Sequence, residues 1–558
     1  MIYSTKEFAQ LASFYCKENN IKNIIISPGS RNAPLTINFT NNTFFNCYSI
    51  VDERSAAFFA LGMAQQTQTP AVLICTSGSA LLNYYPAITE AYYSDIPLII
   101  LSADRPKHLL EIGDGQTIKQ ENVFANHILK SITLSKEIAI NKNAYKFNQC
   151  IIKAIKEKGP VHINIPFDEP LYNVTEKNIP FKKFKKEESQ SLLDETPLKI
   201  DYLQQFADKW NQSTKKMVLI GVHYPSELLQ TQINHLLKDP SVILLTETTS
   251  NIYNKKAING IDKMLVSLNE EEFNKFQPEI LVTLGGMVVS KKIKQFLRNH
   301  QPKEHWHIHP KRKLDTFHCL TEHFKISGTL FFSQFFFLTK HRQSNYQTYF
   351  NNKKKQIAKK HKSYLETAPF SDLKVFDTIF KQLPNQKLQL QLANSTTIRY
   401  SQLFDLPNSL NVFCNRGTSG IDGSTSTAVG ASINIKEQTL FITGDISFFY
   451  DINALWNKYL KPNFRILLIN NIGGGIFRFI KGPKSTNSLN YFETPHHLNA
   501  KNICKMHNIN YLETDNLTDL KNKLSHFYQS DKRPKLLEIK TPRELNDIIL
   551  KEYFANLK

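Results

Sequence analysis

The sequence lacks the features that mark membrane-spanning, secreted and zinc-stabilised proteins. No apolar run reaches the roughly 18 residues that a transmembrane helix needs, so we expect no membrane span. The first twenty residues carry acidic residues and have the pattern of an amphipathic helix, whereas a secretory signal has a basic start and an apolar core. The seven cysteines are scattered, odd in number and without a CxxC pair, which argues against disulfides and zinc. We therefore expect a cytoplasmic protein with no membrane partner.

Acidic residues are few compared with basic ones. Lysine and arginine number 69 against 49 acidic residues, which gives a formal net charge of +20. Such a charge suits a nucleic-acid-binding protein, but no nucleic-acid-binding motif accompanies it. The densest basic runs, 182–186 and 353–362, fall in predicted linkers. We interpret the charge as solvated surface, which also favours a multiply anionic substrate, and expect no nucleic-acid partner.

The composition is otherwise that of a folded protein with several domains. Of the 558 residues, 41% are hydrophobic and 21% charged, and the length suggests about three domains. Predicted strands, among them 71–75, 242–246, 280–284 and 388–392, alternate with helical segments. This alternation predicts α/β domains with mostly parallel sheets. We place these domains at 1–180, 195–345 and 365–558. A charged segment joins the first two, and a lysine-rich helical segment joins the last two.

The most informative part of the sequence runs from 441 to 477. Its first apolar strand ends at Gly444-Asp445, and Ser447 is in position to cap the helix that we predict next. A second apolar run, 464–469, is long enough for one buried strand. The predicted helix carries apolar residues at helical spacing on one face: Phe448, Ile452, Leu455, Trp456 and Tyr459. The stretch is therefore a predicted β–α–β unit with a right-handed crossover.

This unit brings oxygen ligands to one edge of the sheet. Asp445 and Asn471 lie at the carboxyl ends of two parallel strands, where ligands bind in open α/β sheets. With glycine carbonyls they offer the hard oxygen donors that Mg²⁺ takes when it is shared with a diphosphate. The 26-residue separation, with GD at one end and NN at the other, resembles the thiamine diphosphate (ThDP) motif. An ordinary β–α–β unit with a polar turn remains the alternative on this stretch alone.

Other polar loops follow predicted strands in the first and last domains. The loop SPGSRNAP follows strand 21–26, and its small residues with Arg31 suit an anion pocket. The loops SADRP, NSTTIR and NRGTSGIDG follow three further strands. Glu53 begins a helix after strand 48–51, and by itself it reads as a first-turn charge that complements the helix dipole.

Two features of the middle domain allow more than one interpretation. Gly285-Gly286 follows strand 280–284, as in a dinucleotide site, but GxGxxG and an acidic partner are absent. We therefore predict a structural turn there. His305, His307 and His309 alternate along one strand and share a face, but without further ligands a metal site is not expected.

The loops together carry a specific resemblance. In order, the chain contains SPGSRNAP, DERSAAF, TSGSALLNYYPA, SADRP, GDGQTIKQ, VHINIPFDEPLY, NSTTIR, CNRGTSGIDGSTSTAVG and GDISFFYDINAL…INNIGGGIF. These motifs resemble the ThDP-dependent 2-succinyl-5-enolpyruvyl-6-hydroxy-3-cyclohexene-1-carboxylate synthase family of menaquinone biosynthesis. The match covers nearly the whole chain and is weakest in the middle domain.

The resemblance implies a fold, a reaction and an assembly. The three domains become a pyrimidine-binding, a central and a diphosphate-binding domain. The family decarboxylates 2-oxoglutarate on ThDP and adds the succinyl-semialdehyde carbanion to isochorismate. Glu53 matches the acid that hydrogen-bonds the cofactor's pyrimidine ring and promotes its reactive tautomer. In the family this domain faces the diphosphate-binding domain of a partner subunit, which implies a homodimer or homotetramer.

Further residue roles follow from the same resemblance. Mg²⁺ or Mn²⁺ would be bound by Asp445, Asn471 and the carbonyl of Gly473. The remaining cofactor contacts would be Ser395, Ile421, Gly444, Ile446, Ser447, Ile476 and Phe477. Ile421 matches an apolar residue that wedges the cofactor into a bent form, although plain core packing is an equal alternative. The substrate contacts would be Ser30, Arg31, Arg105, Gln116, Lys291, Lys292, Arg399 and Arg416.

One of these residues departs from the family, and two rival functions remain. The family usually has arginine at position 292, and a lysine cannot make the planar bidentate contact. One rival is another ThDP-dependent 2-oxo-acid decarboxylase or carboligase, such as an acetohydroxyacid synthase. The other is a catalytically silent protein that keeps the ThDP fold as a binding module.

Overall fold

Three parallel sheets organise the computed structural model, which describes residues 1–184, 196–480 and 482–558. The predicted linker between 180 and 195 lies mostly outside the described residues, as do Lys185 and Lys186 of the first basic run. In the described part of the chain, every helix is too short or too polar to cross a bilayer.

The N-terminal domain is built on a six-stranded parallel sheet. Its strands are β1 (Tyr3–Ser4), β2 (Asn23–Ile26), β3 (Asn46–Ser49), β4 (Ala71–Cys75), β5 (Leu98–Asp104), β6 (Lys130–Thr133), β7 (Val161–Pro166) and β8 (Val174–Thr175). Its helices are α1 (Glu7–Glu18), α2 (Ala33–Thr40), α3 (Glu53–Thr67), α4 (Ser79–Leu82), α5 (Tyr85–Ser94) and α6 (Ile140–Glu157). The sheet order is β3-β2-β4-β5-β7-β6, and β1 pairs with β8 separately.

The middle domain has a five-stranded parallel sheet. Its strands are β9 (Lys216–Ile220), β10 (Val242–Thr246), β11 (Ile280–Leu284), β12 (Glu304–Ile308) and β13 (Glu322–Phe324). Its helices are α7 (Ile200–Gln212), α8 (Glu227–Leu236), α9 (Ile261–Val266), α10 (Glu270–Phe276), α11 (Lys291–Asn299) and α12 (Gly328–Phe335). The sheet order is β10-β9-β11-β12-β13. The lysine-rich segment that follows is the 22-residue helix α13 (Tyr346–Thr367), as predicted.

The C-terminal domain repeats the plan of the first. Its strands are β14 (Leu388–Leu392), β15 (Leu410–Cys414), β16 (Gln438–Gly444), β17 (Phe464–Asn470), β18 (Asn510–Thr514) and β19 (Lys535–Lys540). Its helices are α14 (Asp372–Lys381), α15 (Thr396–Ser401), α16 (Ser424–Ser432), α17 (Asp445–Tyr450), α18 (Ile476–Phe479), α19 (Ser488–Glu493), α20 (Lys501–Met506), α21 (Leu517–Phe527) and α22 (Asn546–Leu557).

The two outer domains share one strand topology, which confirms their predicted similarity. The C-terminal order, β15-β14-β16-β17-β19-β18, follows the same sequence of crossovers as the N-terminal sheet. In each six-stranded sheet, the strand that comes first in the sequence (β2 or β14) lies between the next two strands. The connections therefore leave in opposite directions. This switch point opens a crevice at the carboxyl ends of β14 and β16 in the C-terminal domain. The sequence-predicted ligand residues therefore lie where this architecture binds ligands.

The prediction of a single helix between β16 and β17 is wrong. This segment divides into the six-residue α17 and a 3₁₀ turn at Ile452–Leu455. Asp451 lies between them, fully buried, and accepts hydrogen bonds from the backbone N and Oγ of Ser426 in α16. This long-range contact turns the chain before the predicted helix is complete. Ser447 lies inside α17, whose N-cap is Gly444, and therefore does not cap it.

The N-terminal and C-terminal domains pack through closely approaching backbones. A Cβ atom on Gly62 of α3 would lie 2.0 Å from the carbonyl oxygen of Thr427 in α16. A Cβ atom on Gly430 would lie 2.0 Å from the carbonyl oxygen of Phe59. Both glycines are therefore required for this contact, and the small-residue helix predicted at 55–65 packs as closely as its composition suggests.

The glycines after β11 support a turn. Gly285 adopts φ +81°, and a Cβ on Gly221 would lie 2.1 Å from the carbonyl oxygen of Gly286. Close backbone packing between two strand ends therefore accounts for these glycines.

The histidines at 305, 307 and 309 share one face, as predicted. His305 and His307 are buried in β12, whereas His309 follows the strand and is half-buried. Thr283 Oγ1 lies 2.9 Å from both His305 Nε2 and His307 Nδ1, and the rings of His307 and His309 stack. Burial lowers the pKa of His305 and His309 to about 4 and that of His307 to about 3. Among the described residues no group of three metal-ligating side chains is arranged to hold a metal ion. His305 and His307 therefore fold as neutral core groups.

Acidification is expected to destabilise the protein through these histidines. Their folded pKa values lie below 6.5, so their stabilising contribution is present above pH 6.5 and is lost as the pH falls toward 4. One such group contributes a slope of at most about 1.4 kcal/mol per pH unit. We expect His307→Asn to make the acid-induced fall in melting temperature shallower. The exposed His318→Asn is the control, and an identical pH profile for both variants would contradict the prediction.

Candidate active site

The carboxyl end of the C-terminal sheet gathers the predicted metal ligands. Asp445 is 2% exposed and follows β16 directly. Its Oδ1 accepts a hydrogen bond from the backbone N of Ile446 at 2.7 Å, and its Oδ2 accepts one from Gly473 N at 2.9 Å. Two loops that are far apart in sequence are thus joined through one carboxylate.

Asn471 presents a free, buried amide oxygen at this edge. Its Nδ2 donates to Asp372 Oδ2 at 3.0 Å, while its Oδ1 is buried without a hydrogen-bond partner. Asp372 is fixed in turn, because its Oδ1 accepts from Thr541 Oγ1 at 2.6 Å and its backbone N donates to Asn546. Burial, with Asp445 nearby, raises the pKa of the Asp372 carboxyl to about 6. An uncompensated buried oxygen beside a carboxylate is the chemistry of a divalent-cation site.

We predict that Asp372→Asn weakens divalent-cation binding. An asparagine amide at 372 can face Asn471 with its own NH₂ group, which favours rotation of the Asn471 amide and turns its oxygen away from the site. Loss of such an outer-shell partner typically costs about 10- to 100-fold in metal affinity. Electron paramagnetic resonance of Mn²⁺ in the presence of ThDP measures this affinity directly.

The control for this variant is Asp377→Asn, on the same helix. Asp377 is also buried, but its carboxylate pairs with Lys381. An unchanged Mn²⁺ affinity in Asp372→Asn, or an equal loss in Asp377→Asn, would contradict the orienting role of Asp372.

The glycine loop after Asn471 is held in a conformation that side chains resist. Gly473 adopts φ +145°, and a Cβ there would lie 2.6 Å from the carbonyl oxygen of Glu493. The Glu493 carboxylate is buried and bound by Arg478 and Arg543, which lowers the pKa of the carboxyl. The loop is therefore anchored from α19 and the segment after β19.

His496 is a site residue that the sequence analysis missed. Its Nε2 lies 3.3 Å from Asp445 Oδ2, and its ring packs edge-on against Phe449. No spacing rule links position 496 to the GD motif, since the contact comes from the chain returning across the edge of the sheet. The histidine borders the predicted cation site.

The predicted cofactor contacts surround the same crevice. Ser447 Oγ donates to the carbonyl oxygen of Ile421 at 2.7 Å, which joins α17 to the loop before α16. Ser395 follows β14 at φ +68°, a strained value for a residue other than glycine, of a kind found at functional sites. Ile476 and Phe477 begin α18, and Phe477 packs on Phe492. Strand ends and short helices thus enclose the crevice.

Two predicted substrate arginines lie close together beside this crevice. Arg416 is 8% exposed, and its Nη1 donates to Asn394 Oδ1 at 2.7 Å, while its Nε is buried without a partner. Burial and the neighbouring Arg416 lower the pKa of the Arg399 guanidinium. Arg416, buried with an unused donor, and the half-buried Arg399 together suit a carboxylate.

The middle domain contributes further charge, although not only from the predicted pair. Ser290 caps α11, and Lys291 and Lys292 lie exposed in its first turn. Lys292 Nζ lies over the ring of Phe554 at 5.5 Å. Lys294, which the sequence analysis did not select, is half-buried within electrostatic reach of Arg399 and Arg416, and burial lowers its pKa.

The polar loops of the N-terminal domain form a second cluster. Arg31 is buried, donates to the carbonyl oxygen of Phe167 at 2.9 Å and pairs with Glu169 at 3.1 Å. Arg105 pairs with Asp114 at 3.2 Å and donates from Nε to the carbonyl oxygen of Gly115. These contacts hold both guanidinium groups along the rim.

Gln116 and Ser30 lie on the same side of the N-terminal domain. Gln116 adopts φ +55°, and its backbone covers Gly78 at the end of β4. Ser30 is exposed in the loop that follows β2. The loop bearing Gln116 is therefore positioned by backbone packing and by Arg105.

Glu53 lines an open cleft of about 560 Å³. It is the first residue of α3, which Asp52 caps, and its Oε2 accepts from Asn83 Nδ2 at 3.3 Å. Asn453 and Trp456 form the opposite wall of the cleft. Within one chain, the cleft of Glu53 therefore meets the segment after α17, whereas Asp445 lies at the start of α17. Glu53, the predicted acid, and the predicted cation site therefore lie in different parts of the chain.

Comparison with known proteins identifies the domains and the fold. Residues 6–127 match the family model for the thiamine pyrophosphate enzyme N-terminal TPP binding domain, and residues 182–390 match the middle domain of thiamine pyrophosphate. The structure is similar to benzoylformate decarboxylase from Polynucleobacter necessarius, with a TM-score of 0.71 over 96% of this chain and 99% of that chain. Sequence identity there is 13%, so this likeness concerns the fold alone.

Curated relatives are similar over their whole length. The 2-succinyl-5-enolpyruvyl-6-hydroxy-3-cyclohexene-1-carboxylate synthases of Flavobacterium psychrophilum and Flavobacterium johnsoniae are each 49% identical, with 100% of both chains covered. That of Christiangramia forsetii is 48% identical, again over 100% of both chains.

The fold and the matched domains define an enzyme of the thiamine diphosphate-dependent class, with ThDP as its cofactor. The predicted cation ligands lie at the carboxyl end of the C-terminal sheet, and Glu53 lines a separate cleft. Within this class, the chain belongs to the 2-succinyl-5-enolpyruvyl-6-hydroxy-3-cyclohexene-1-carboxylate synthase family.

Proposed function

We propose that this chain decarboxylates 2-oxoglutarate and joins the remaining four-carbon unit to isochorismate. The products are CO₂ and 2-succinyl-5-enolpyruvyl-6-hydroxy-3-cyclohexene-1-carboxylate, an intermediate of menaquinone biosynthesis. The observation that carries the proposal is the buried, unpaired oxygen of Asn471 beside Asp445, in a chain 49% identical to the named synthases. We place the enzyme in the cytoplasm, where its seven free cysteines would stay reduced.

A divalent cation fits the residues of the C-terminal crevice. The donor set that we assign is Asp445, the Asn471 oxygen and the backbone carbonyl of Gly473. All three are hard oxygen ligands, which suit Mg²⁺ and Mn²⁺. The cation would neutralise a diphosphate. The backbone amides of Gly444, Asp445 and Ser447 would donate hydrogen bonds to the diphosphate, whereas that of Ile446 already donates to Asp445 Oδ1. The protein's task here is to bind and orient.

Bound thiamine diphosphate supplies the electron sink for decarboxylation of the 2-oxo acid. The chain's own contribution begins with Glu53, whose carboxyl oxygen would share a proton with the cofactor's pyrimidine ring and favour its reactive tautomer. Ile421 would support the cofactor's bent shape from below. Ser395, Ile476 and Phe477 would limit the access of water to the reacting centre.

We propose that the active unit is a homodimer, or a tetramer built from dimers. The support is the separation of Glu53 from Asp445 within one chain. Apolar side chains are also exposed around the Glu53 cleft, among them Val51 at 41%, Leu82 at 41% and Trp456 at 54%. A partner's C-terminal domain would cover this surface and complete the cofactor site.

The substrate assignment uses the arginines. Both substrates carry two carboxylates, so the pocket needs several cations. Arg399 and Arg416 would meet one substrate from the C-terminal domain, with Lys291 and Lys292 approaching from the middle domain. Arg31 and Arg105, with Ser30 and Gln116, would bind from the N-terminal domain of the partner.

One assay distinguishes this proposal from its rivals. The purified protein is incubated with 2-oxoglutarate, isochorismate, ThDP and Mg²⁺, and products are identified by mass spectrometry. The expected result is the cyclohexene carboxylate adduct with stoichiometric CO₂. Acetolactate from pyruvate, free succinic semialdehyde without adduct, or no turnover at all would each overturn the proposal.

A further inference from the structure

The Glu90 carboxylate links the N-terminal domain to the C-terminal domain of the same chain. Glu90 lies on α5 and is 1% exposed. Its Oε1 accepts from Gly417 N and Ser94 Oγ, both at 2.7 Å. Its Oε2 accepts from the backbone N of Thr418 at 2.7 Å and from Thr418 Oγ1 at 2.8 Å. Three of these four hydrogen bonds therefore come from one loop of the other domain.

That loop approaches α5 as closely as backbone atoms allow. A Cβ on Gly417 would lie 2.7 Å from the carbonyl oxygen of Glu90 and 2.7 Å from Ser94 Oγ. The loop therefore has one seating on the helix, and Glu90 fixes the direction of its two amides. Buried carboxylates that accept several backbone N–H bonds are strong anchors.

Arg416 immediately precedes the anchored residues. Its guanidinium is positioned from the opposite side by Asn394, which itself donates to the carbonyl oxygens of Asn415 and Gly420. The Arg416 Nε is buried and unpaired, so the side chain retains a donor for a ligand. The backbone of Arg416 is thus held by the N-terminal domain and its side-chain tip by the C-terminal domain.

We propose that Glu90 is a positioning residue for Arg416 and so determines affinity for the dicarboxylate substrate that Arg416 binds. This inference rests on the proposed function, which makes Arg416 a substrate contact. In this assignment the N-terminal domain acts twice: Glu53 serves the cofactor, and Glu90 sets a substrate contact in its own chain. Substrate affinity is then coupled to the packing of the two outer domains.

Steady-state kinetics with each substrate varied in turn tests the role of Glu90. Arg416→Ala first identifies the substrate whose KM depends on the arginine. We expect Glu90→Gln to raise the same KM about tenfold, the typical effect of losing one charged hydrogen bond, with kcat and the other KM nearly unchanged. The double variant is expected to be no worse in that KM than Arg416→Ala alone, because Glu90 acts through Arg416.

Milder variants keep the test valid if Glu90→Gln folds poorly. Thr418 is exposed, so Thr418→Val removes one hydrogen bond to Glu90 without disturbing the core. We expect it to raise the same KM several-fold and Thr418→Ser to restore it. The control is Thr89→Val on α5, whose hydroxyl bonds only to the Tyr85 carbonyl in the same helix and whose loss should leave both KM values unchanged.

The outcomes separate the positioning role from the proposed function. If Arg416→Ala raises a KM and neither Glu90→Gln nor Thr418→Val does, the positioning role is overturned while the function stands. If the double variant is additive, or if Glu90→Gln lowers only kcat and melting temperature, Glu90 is structural and the inference fails. If the wild type forms the adduct and Arg416→Ala changes neither KM, the arginine assignment fails and the inference with it.

Discussion

Replacing Glu53 by glutamine is expected to reduce turnover by about 10²- to 10⁴-fold, the range typical of a lost general acid or base. The glutamine is isosteric and keeps an acceptor for Asn83, whose Nδ2 lies 3.3 Å from Glu53 Oε2. The glutamine amide has no acidic proton to share with the pyrimidine ring, so the reactive tautomer of the cofactor loses its support. Binding of ThDP itself is expected to change little, because the contacts that we assign to the diphosphate and the cation lie in the crevice of the C-terminal domain.

The measurement for this variant pairs turnover with cofactor affinity. Adduct formation is followed at saturating ThDP, and cofactor binding is followed by tryptophan fluorescence. Glu227→Gln, a first-turn acid on α8 of the middle domain, is the matched control. Wild-type turnover in Glu53→Gln would remove Glu53 from the mechanism, and a loss confined to ThDP affinity would reduce it to a binding residue.

The second large effect is expected at Asp445. Asp445→Ala removes an anionic cation ligand and leaves the N–H groups of Ile446 and Gly473 without their acceptors. Loss of a residue that only orients a metal ligand typically lowers metal affinity about 10- to 100-fold. We expect Asp445→Ala to lower the affinity for Mg²⁺ or Mn²⁺ by more than this. Affinity for ThDP should fall in parallel, because the proposed cation would help to hold the diphosphate.

Two arms test this effect at Asp445. Calorimetric titration of ThDP at low and high Mg²⁺ is expected to show wild-type affinity recovered only in part at high metal. The control is Asp519→Asn on α21, a half-exposed carboxylate that pairs with Lys523. An Asp445→Ala variant that binds ThDP and metal as tightly as the wild type would contradict the assigned donor set.

Much of the fold follows from sequence patterns that record burial. Four predicted strands have the observed bounds, namely Ala71–Cys75, Val242–Thr246, Ile280–Leu284 and Leu388–Leu392. All of their residues are buried, and their ends are marked by glycine or polar residues. Three of the edge strands, β6, β13 and β18, were not predicted. β6, β13 and β18 are short or half-exposed, and sequences such as KSIT and NYLET lack a continuous apolar run.

The helix after Asp445 illustrates why local periodicity can mislead. The apolar spacing from Phe448 to Tyr459 fits one helix, yet the chain turns at Asp451. That turn is stabilised by Ser426, 25 residues earlier in the chain. The spacing of apolar residues carries no information about such a partner, so tertiary structure overrides the local preference.

Sequence patterns predict most of the chemical groups at the candidate site and the strand ends at which they lie, but not His496 or Lys294. Asp445, Asn471, Glu53 and the arginines are all readable there, because strand ends in a parallel sheet are encoded by local alternation of apolar and polar segments. The orientation of these groups depends on contacts between segments that are far apart in the sequence. Asp372 turns the Asn471 amide from 99 residues away, and Glu90 anchors the loop of Arg416 from 327 residues away. Such contacts depend on packing between distant segments, which no local pattern specifies.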